Sequence, residues 1–299
     1  MEVEQCYTDL RRGADEDRAT SSLADIRSCN NFVKAVAMTR FVPRENPVRV
    51  FDWACGKGGD FFKFTQIFPS MEAYTGVDVT RKSIDDFFAR VGRKLPPDLE
   101  FYLDVQDLRT FTPHVPRPFY TVSCQFAFHY FCETPESMQS VLQRMASVLA
   151  VGGRVIITTP QPEQITARLR PVGLNGRKEL RVINPDTLEL KCRVVTVPTE
   201  RAYFFELLDG DSFAVRAPEF FVHKDVLERS ARFAGLNVVF QQNMLRFLEE
   251  SRTNFETLAH AFKLPAALRS DDREVIELYQ VIVLEKTPVI QMAPALSFF

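Results

Sequence analysis

The stretch Val50-Phe-Asp-Trp-Ala-Cys-Gly-Lys-Gly-Gly-Asp60 decides the fold prediction. The pattern from Val48 to Phe51 predicts a buried strand. Apolar residues with helical spacing follow the stretch, namely Phe61, Phe62, Phe64, Ile67 and Phe68. Between strand and helix lie Gly56, Gly58 and Gly59. A glycine turn at this position exposes backbone N–H groups and lets a ligand approach closely.

A second predicted strand, Tyr74-Thr-Gly-Val-Asp-Val79, carries Asp78 near its end. Asp78 follows the glycine turn by about twenty residues, the distance at which nucleotide-binding units place the acid that holds ribose hydroxyls. The spacing therefore predicts a doubly wound sheet with an adenosine-containing cofactor at its carboxyl edge. The glycines do not form G-x-G-x-x-G, which disfavours a dinucleotide oxidoreductase. A structural βα turn without a ligand is the alternative.

The composition of the 299-residue chain disfavours several classes of protein. The net charge of −2 argues against a large nucleic-acid surface, although the end of a nucleic acid can still enter a pocket. The six cysteines are scattered, without Cys-x-x-Cys or a His cluster, which argues against structural zinc and for a reduced intracellular protein. No apolar run approaches transmembrane length, and the N-terminus lacks a signal-peptide pattern.

Helix and strand patterns alternate along most of the chain, which predicts an α/β fold with a mostly parallel sheet and right-handed crossovers. The predicted helices run from the N-cap Ser28 to Arg40, from Arg81 to Val91, from Glu136 to Leu149 with Gly152-Gly153 as the stop, from Lys224 to Ala234 and, for most of its length, from Asn243 to Phe262, while the segment from Arg273 to Leu278 leads into the last strand. The later core strands are predicted at Phe101–Val105, Tyr120–Cys124, Arg154–Thr159, Asn237–Gln241 and Tyr279–Glu285, and Glu219–Val222 returns the chain to the core.

A different pattern, from about residue 160 to 218, predicts an antiparallel insertion that resembles a lid. Its predicted elements are a helix at Gln164–Arg170 and strands at Leu180–Ile183, Leu188–Val194 and Ala202–Leu208. The basic excess between Arg168 and Arg193 fits a phosphate-facing surface and a solvated hairpin equally well. The chain thus divides into a flexible N-terminal arm at 1–27, a core domain at 28–286 and a C-terminal tail at 287–299.

Polar side chains are predicted to follow the third and fourth strands at the same sheet edge. Asp107 lies where acids of this fold reach an adenine, although a turn or helix cap explains the same residue. The segment Gln125-Phe-Ala-Phe-His-Tyr-Phe131 follows a predicted strand and is rich in aromatic residues, although loops at the protein surface usually contain few of them. Its phenylalanines can pack under the sheet, so His129 and Tyr130 are the better ligand candidates.

The first predicted helix carries Asn30, Asn31 and Lys34 near its first turn. Their spacing can present amides and an ammonium on one face of the helix. An ordinary solvated face is the default interpretation of these three residues.

The segment Asp52-x-x-Cys-Gly56 resembles motif I of S-adenosylmethionine (SAM)-dependent methyltransferases, with Ala54 where that family usually has its first glycine. Five segments together resemble the eukaryotic mRNA cap guanine-N7 methyltransferase family: Asn30-Asn-Phe-Val-Lys34, Cys55-Gly-Lys-Gly-Gly-Asp60 with Lys63, Gln125-Phe-Ala-Phe-His-Tyr130, Pro218-Glu-Phe-Phe-Val222 and Glu277-Leu-Tyr-Gln-Val281. They occur in that family's order. The resemblance implies a Rossmann-like class I methyltransferase with a mostly parallel seven-stranded sheet, helices on both faces and an antiparallel β insertion.

The resemblance also implies a cofactor site for SAM. Its residues would be Lys34, Asp52, Ala54, Gly56, Asp78, Asp107, Gln125 and Tyr130. Within that set Asp78 would hold the ribose hydroxyls, Asp107 the adenine amine and Lys34 the methionine carboxylate.

A cap site is implied beside it. Its residues would be Asn30, Asn31, Lys57, Lys63, His129, Glu219 and Tyr279. A carboxylate at Glu219 can accept hydrogen bonds from the guanine N1–H and 2-amino group. Tyr279 would stack on or border the base, and Lys57 and Lys63 would meet phosphates.

The implied reaction is methyl transfer from SAM to N7 of the guanosine cap (GpppN) of mRNA, with S-adenosylhomocysteine as the product. Because N7 has an unprotonated in-plane lone pair, the displacement needs positioning and electrostatics but no general base or metal. His129, Tyr130, Glu219 and Tyr279 would act by positioning. The expected partners are the capped 5′ end of mRNA and other capping enzymes, and no membrane partner is expected. The resemblance also implies a monomer that acts in the nucleus.

Two other functions remain open from the sequence. One is methylation of a small metabolite by a SAM-dependent enzyme, against which the cap-side residues argue. The other is a catalytically silent SAM-fold subunit that binds RNA or a protein, for which Ala54 is the support.

Overall fold

A computed structural model describes residues 21–44, 47–113, 117–173, 175–197, 201–210 and 212–288. Their strands form two sheets. The strands are β1 (Arg49–Trp53), β2 (Ala73–Asp78), β3 (Glu100–Val105), β4 (Phe119–Gln125), β5 (Leu149–Pro160), β6 (Arg170–Pro171), β7 (Lys178–Ile183), β8 (Leu190–Thr196), β9 (Tyr203–Asp209), β10 (Ser212–Glu219), β11 (Leu236–Asn243) and β12 (Tyr279–Lys286). Most of the predicted N-terminal arm, residues 1–20, and of the C-terminal tail, 289–299, lies outside the described residues.

The central sheet has seven strands in the order β11-β12-β5-β4-β1-β2-β3. Strands β1 to β5 are parallel to one another, and β12 is antiparallel to both of its neighbours. The predicted mostly parallel seven-stranded sheet is therefore confirmed. Since the parallel strands point the same way, the loops after β1, β2, β3 and β4 all emerge at one edge.

Helices cover both faces of the central sheet. They are α1 (Ala24–Phe41), α2 (Phe61–Ile67), α3 (Arg81–Val91), α4 (Pro135–Val148), α5 (Pro162–Arg168), α6 (Lys224–Phe233), α7 (Met244–Asn254), α8 (Glu256–Ala261) and α9 (Ser270–Glu277). Apolar residues of α1, α2, α3 and α7 form the core on one face, and those of α4 and α6 form the core on the other. The bounds predicted for α3 match the structure at both ends.

Two predicted helix ends are wrong. Helix α1 begins at Ala24, before the predicted cap Ser28, because the preceding turn is held by Asp209: the Ser22 N–H donates to its Oδ1 at 2.9 Å. Part of the predicted N-terminal arm is therefore helical. Helix α4 ends at Val148 and is followed at once by β5, so Gly152-Gly153 lies within a strand and does not stop the helix.

The second sheet is the antiparallel insertion, with strands in the order β10-β9-β8-β7-β6. Its buried side chains pack against the first turn of α1, against α5 and against α9. Strands β6 and β10 were not predicted. Glu219, expected where the chain returns to the core, is instead the last residue of β10 and lies directly opposite Tyr203 in the sheet register.

Carboxylates neutralise most of the basic excess that the sequence shows in this insertion. Lys191 is buried and pairs with both Asp271, at 2.8 Å, and Asp272 of α9. Among the remaining bases, Arg168 pairs with Glu277, Arg181 with Glu179, and Arg193 with Glu206. These pairs fix the insertion internally and to α9, which weakens its interpretation as a phosphate-facing surface.

Candidate active site

A cavity of about 480 Å³ lies at the carboxyl edge of the central sheet. The loops after four adjacent strands build it: residues 54–59 after β1, 78–83 after β2, 107–109 after β3 and 125–131 after β4. Helix α1 closes one side with Asn31 and Lys34. The parallel sheet therefore gathers at one edge the polar residues that are far apart in the sequence.

The glycine turn after β1 is held in a left-handed backbone conformation. Gly56 and Gly58 have φ angles of +52° and +71°, and Ala54 has one of +64°. A Cβ on Gly58 would lie 2.3 Å from the Phe87 ring, so glycine there permits the close packing of α3 on the turn. Ala54 adopts the conformation that a glycine would take, at a cost of roughly 1–2 kcal/mol.

Asp78 is oriented by backbone donors at the end of β2. Gly56 N–H donates to its Oδ2 at 2.9 Å, and Thr80 N–H donates to its Oδ1 at 2.9 Å. The first bond ties the glycine turn to the carboxylate. The acid that follows β3, Asp107, accepts hydrogen bonds from the Arg109 side chain, which hold the pKa of Asp107 below its usual range.

Asp60 lies between two ammonium groups in the wall of the cavity. Its Oδ1 is 2.7 Å from Lys34 Nζ and 3.0 Å from Lys63 Nζ. Burial raises the pKa of Asp60, but the two lysines outweigh it and lower the pKa to about 2. Burial lowers the pKa of Lys63, whose ammonium also donates to the Gly59 carbonyl at 2.9 Å. The three residues thus form one charged unit with a net positive charge.

Asp52, predicted to bind the cofactor, does not line the cavity. It lies on β1 beneath the turn with 2% of its surface exposed and accepts a hydrogen bond from the Tyr74 hydroxyl. Burial, with the nearby charge of Asp60, raises the pKa of Asp52 to about 7. Asp52 is therefore part of the buried structure beneath the glycine turn and does not face the cavity.

Gln125 and the segment after it form another wall. Gln125 Nε2 donates to the Ile156 carbonyl at 3.0 Å, and its Oε1 accepts from the Thr158 hydroxyl at 3.1 Å. Phe126 has a φ of +56°, which turns the chain sharply after β4. Both side chains and Tyr130 face the cavity.

Tyr130 also belongs to a group that we call the Glu219 cluster, in which Glu219, His129 and Tyr203 are buried and Tyr130 is half-buried. The Glu219 carboxylate accepts from Tyr203 at 2.8 Å and from Tyr130 at 3.4 Å. His129 Nε2 lies 3.3 Å from Glu219 Oε1. Glu219 and His129 are each 2% exposed. Tyr130 alone among the cluster residues lines the cavity.

Tyr279 lies at the start of β12, next to the same wall. Its ring centroid is 5.3 Å from that of Phe126 and 5.8 Å from that of Phe205. Phe126 therefore separates Tyr279 from the cavity, much as Tyr130 separates Glu219 from it.

The cavity unites most of the residues that the sequence singles out. Those that line it are Asn31, Lys34, Ala54, Gly56, Lys57, Lys63, Asp78, Asp107, Gln125 and Tyr130. Those that do not are Asn30, Asp52, His129, Glu219 and Tyr279. Of the latter, His129, Glu219 and Tyr279 lie immediately behind the cavity wall, while Asn30 is on α1 with a buried Oδ1 that has no hydrogen-bond partner.

Sequence reasoning missed several cavity residues. Asp60 ends the opening stretch, and its acidic side chain next to Lys63 was a usable signal. Arg90, in the last turn of α3, carries no such signal, because its distance from the glycine turn matches no nucleotide-binding motif. Its Nη1 donates to the Lys57 carbonyl at 2.7 Å, which brings it to the cavity.

Among the described residues, no three His, Cys, Asp or Glu side chains converge as metal ligands. No helix in the described ranges is long and apolar enough to cross a membrane. The five described cysteines are buried and free.

Comparison with solved structures supports the fold. The CcbJ methyltransferase of Streptomyces caelestis superposes with a TM-score of 0.57 at 14% identity, covering 87% of this chain and 96% of that one. SAM-bound CalS10, an amino pentose methyltransferase of Micromonospora echinaspora, gives 0.53 at 15% identity, covering 93% and 99%. At such identities the likeness shows the methyltransferase fold alone.

Relatives at the sequence level carry a more specific name. Proteins named mRNA cap guanine-N(7) methyltransferase are 26% identical over 263 residues in Drosophila melanogaster and 26% over 252 residues in Schizosaccharomyces pombe. The matches cover 82% and 80% of this chain but 60% and 67% of those proteins. An Arabidopsis thaliana protein, mRNA cap guanine-N(7) methyltransferase 1, is 27% identical over 298 residues, covering 91% of this chain and 77% of its own.

The family model for the mRNA (guanine-N(7))-methyltransferase domain matches residues 1–287. That range contains every cavity residue and the whole Glu219 cluster. With this match across nearly the whole chain, the protein belongs to the mRNA (guanine-N(7))-methyltransferase family.

Proposed function

We propose that this protein transfers a methyl group from SAM to N7 of the guanosine cap of mRNA. Family membership supports this reaction, and so does the position of Tyr130. This one side chain borders a cavity with an oriented carboxylate at Asp78 and donates to Glu219 on its other side. A cavity that suits the cofactor and a buried carboxylate that suits the base thus lie on two sides of one side chain, which fits a two-substrate transfer.

The cavity residues fit SAM. Asp78, held by the Gly56 and Thr80 amides, would accept from the ribose hydroxyls. Asp107 would accept from the adenine amine. Lys34 has three ammonium protons, so it can keep its contact with Asp60 and still donate to the methionine carboxylate. Bound SAM supplies an activated methyl group on a sulfonium.

The Glu219 cluster fits the edge of a guanine. In the proposed complex the Glu219 carboxylate accepts from the guanine N1–H and 2-amino group, and Tyr203 keeps it in place. Since Glu219 is buried behind Tyr130, base binding requires Tyr130 to change its contact with the carboxylate. Lys57 and Lys63 in the cavity wall would meet the triphosphate.

The chain's residues need not move a proton in this reaction. The N7 lone pair is available at neutral pH, so the protein contributes alignment of the two ligands and a suitable electrostatic field. The charged unit of Lys34, Lys63 and Asp60 has a net positive charge and so gives the cavity a positive potential. The negative Glu219 lies on the side of the base, which gains positive charge in the reaction. His129, Tyr130 and Tyr279 would position the base.

The decisive experiment is transfer of labelled methyl from SAM to GpppA-ended RNA. We expect the label in 7-methylguanosine after nuclease digestion. RNA that already bears a 7-methylguanosine cap, and uncapped RNA of the same sequence, should take up no label. Equal labelling of these controls, or label elsewhere than N7, would refute the proposal.

The biological setting follows from the same proposal. A nuclear location, action as a monomer and association with other capping enzymes fit a role in mRNA processing. Fluorescence microscopy of the tagged full chain, light scattering of the purified protein and affinity capture with the other capping activities test these three expectations separately.

A further inference from the structure

We propose that a small surface adjoining the cavity carries the first nucleotides of the RNA that follow the cap. This surface, the exit surface, consists of Phe62 on α2, Arg90 on α3 and Lys94 just beyond α3. The inference rests on the proposed function and adds to it a binding site for the RNA chain itself.

Arg90 connects the exit surface to the cavity. It lines the cavity and donates to the Lys57 carbonyl at 2.7 Å, beside an ammonium that is proposed to meet the cap phosphates. Its Cζ also lies 5.5 Å from the centroid of the Phe62 ring. A chain that leaves the triphosphate near Lys57 therefore meets Arg90 and then Phe62.

Phe62 and Lys94 offer the chemistry of a single-stranded RNA site. The Lys94 ammonium lies 6.0 Å from the Phe62 ring centroid, and Phe62 is half-buried against Phe61 with a centroid separation of 5.4 Å. The ring is thus fixed, and both cations over it are exposed. Bases stack on aromatic rings and on guanidinium planes, while exposed cations contact phosphates.

The charges around the exit surface favour RNA. The segment 87–94 contains three basic residues, Arg90, Arg93 and Lys94, and no acidic one, although the whole chain has a net charge of −2. Asp86 is paired with Lys57. The other basic region of the chain, in the second sheet, has most of its charges paired with carboxylates.

The test compares two substrates of the full chain: the dinucleotide GpppA and a GpppA-capped oligonucleotide. We expect Lys94→Glu to raise KM for the oligonucleotide roughly three- to tenfold and to lower the salt dependence of its binding by about one unit of slope. KM for GpppA and kcat for both should stay within about twofold, because Lys94 does not line the cavity. Phe62→Leu, which keeps the apolar packing but removes the ring, should act in the same selective way.

Lys178→Glu is the matched control. Lys178 is an exposed lysine on β7 of the second sheet, so this variant makes the same charge change in the alternative basic region. An equal effect of Lys94→Glu and Lys178→Glu on the oligonucleotide would mean that net charge alone is responsible, and a larger effect of Lys178→Glu would place the RNA on the second sheet. Either result overturns the proposal, as does an equal effect of Lys94→Glu on GpppA.

Failure of the proposed function has a different signature. If the wild-type protein methylated neither substrate, the cap reaction would be refuted whatever the variants did. Fluorescence anisotropy with the same capped oligonucleotide then still tests the exit surface. Weaker binding to Lys94→Glu than to Lys178→Glu supports it, and equal binding refutes it.

Discussion

Tyr203 donates a 2.8 Å hydrogen bond to Glu219, its direct partner across the β9–β10 ladder, and both side chains are buried. Ladder geometry therefore fixes the position of the carboxylate before any ligand binds. The acid proposed to bind the guanine edge is thus a residue of the insertion, and Tyr130 contacts it from the loop after β4.

Tyr203→Phe should weaken cap recognition without affecting the cofactor. Loss of a hydrogen bond to a charged group costs roughly 1.5–3 kcal/mol, so we expect KM for capped RNA to rise about tenfold or more. SAM affinity, measured by calorimetry, should stay within about twofold, because Tyr203 does not line the cavity. Tyr102→Phe, at an exposed tyrosine of β3, is the control. Unchanged KM in Tyr203→Phe would show that Glu219 is not positioned through this bond.

Glu219→Ala should lower both cap binding and turnover while SAM still binds. The variant removes the acceptor for two guanine hydrogen bonds and leaves Tyr203 without its partner. Glu219→Gln keeps the shape but offers an amide donor to the guanine N1–H, so it should be impaired nearly as much. Normal methylation of GpppN-capped RNA by Glu219→Ala would show that the base pocket lies elsewhere.

Asp78→Asn should reduce SAM affinity by about tenfold to a hundredfold in calorimetry. The amide can still accept one of the two backbone hydrogen bonds that orient the side chain, but it loses the charge that would hold the ribose hydroxyls. Binding of a cap dinucleotide, measured without SAM, should change little. Retention of full SAM affinity would exclude Asp78 from the cofactor site.

Ala54→Gly should stabilise the fold or leave it unchanged. Relief of the left-handed conformation gains roughly 1–2 kcal/mol, against roughly 0.4–1 kcal/mol for the greater freedom of glycine in the unfolded chain. Ala89→Gly, at an exposed position within α3, should instead lower the free energy of unfolding by about 1 kcal/mol. Urea titrations compare the two, and a loss for Ala54→Gly as large as that for Ala89→Gly would contradict the strain at Ala54.

Asp52→Asn should change how stability depends on pH. The folded protein raises the pKa of Asp52 from 3.8 to about 7, so the folded state retains a proton that the unfolded chain loses. The contribution of this group is therefore present below pH 3.8 and is lost as the pH rises towards about 7. We expect the variant to lose less stability than the wild type across that window in denaturant titrations. Parallel curves for the two proteins would mean that Asp52 ionises normally in the fold.

The sequence predicted the parts of the fold that local pattern controls. The glycine turn, Asp78 at the end of β2 and both ends of α3 are where periodicity and turn residues placed them. Family resemblance supplied the cap residues, whose grouping behind one cavity wall depends on tertiary structure.

The errors have physical reasons. Strand β10, Ser-Phe-Ala-Val-Arg-Ala-Pro-Glu, contains a proline and alternates weakly, so it was not seen as a strand and Glu219 was assigned to the core. It pairs with β9 alone among the described strands, at the edge of its sheet, where proline is tolerated. Asp52 looked like a ligand because nothing local shows that Tyr74, on the neighbouring strand, covers its carboxylate.

Tyr130, which faces the cavity with one side and Glu219 with the other, has a thermodynamic consequence. Because one phenol contacts both the cavity and the carboxylate proposed to bind the base, a ligand at either place can change the affinity for a ligand at the other. If the donor molecule shifts this ring towards or away from the carboxylate, the acceptor base binds more or less tightly by some factor, and reciprocity requires the base to change the donor's affinity by that same factor. The ring would then make the binding of the two substrates cooperative or antagonistic, whichever of them binds first.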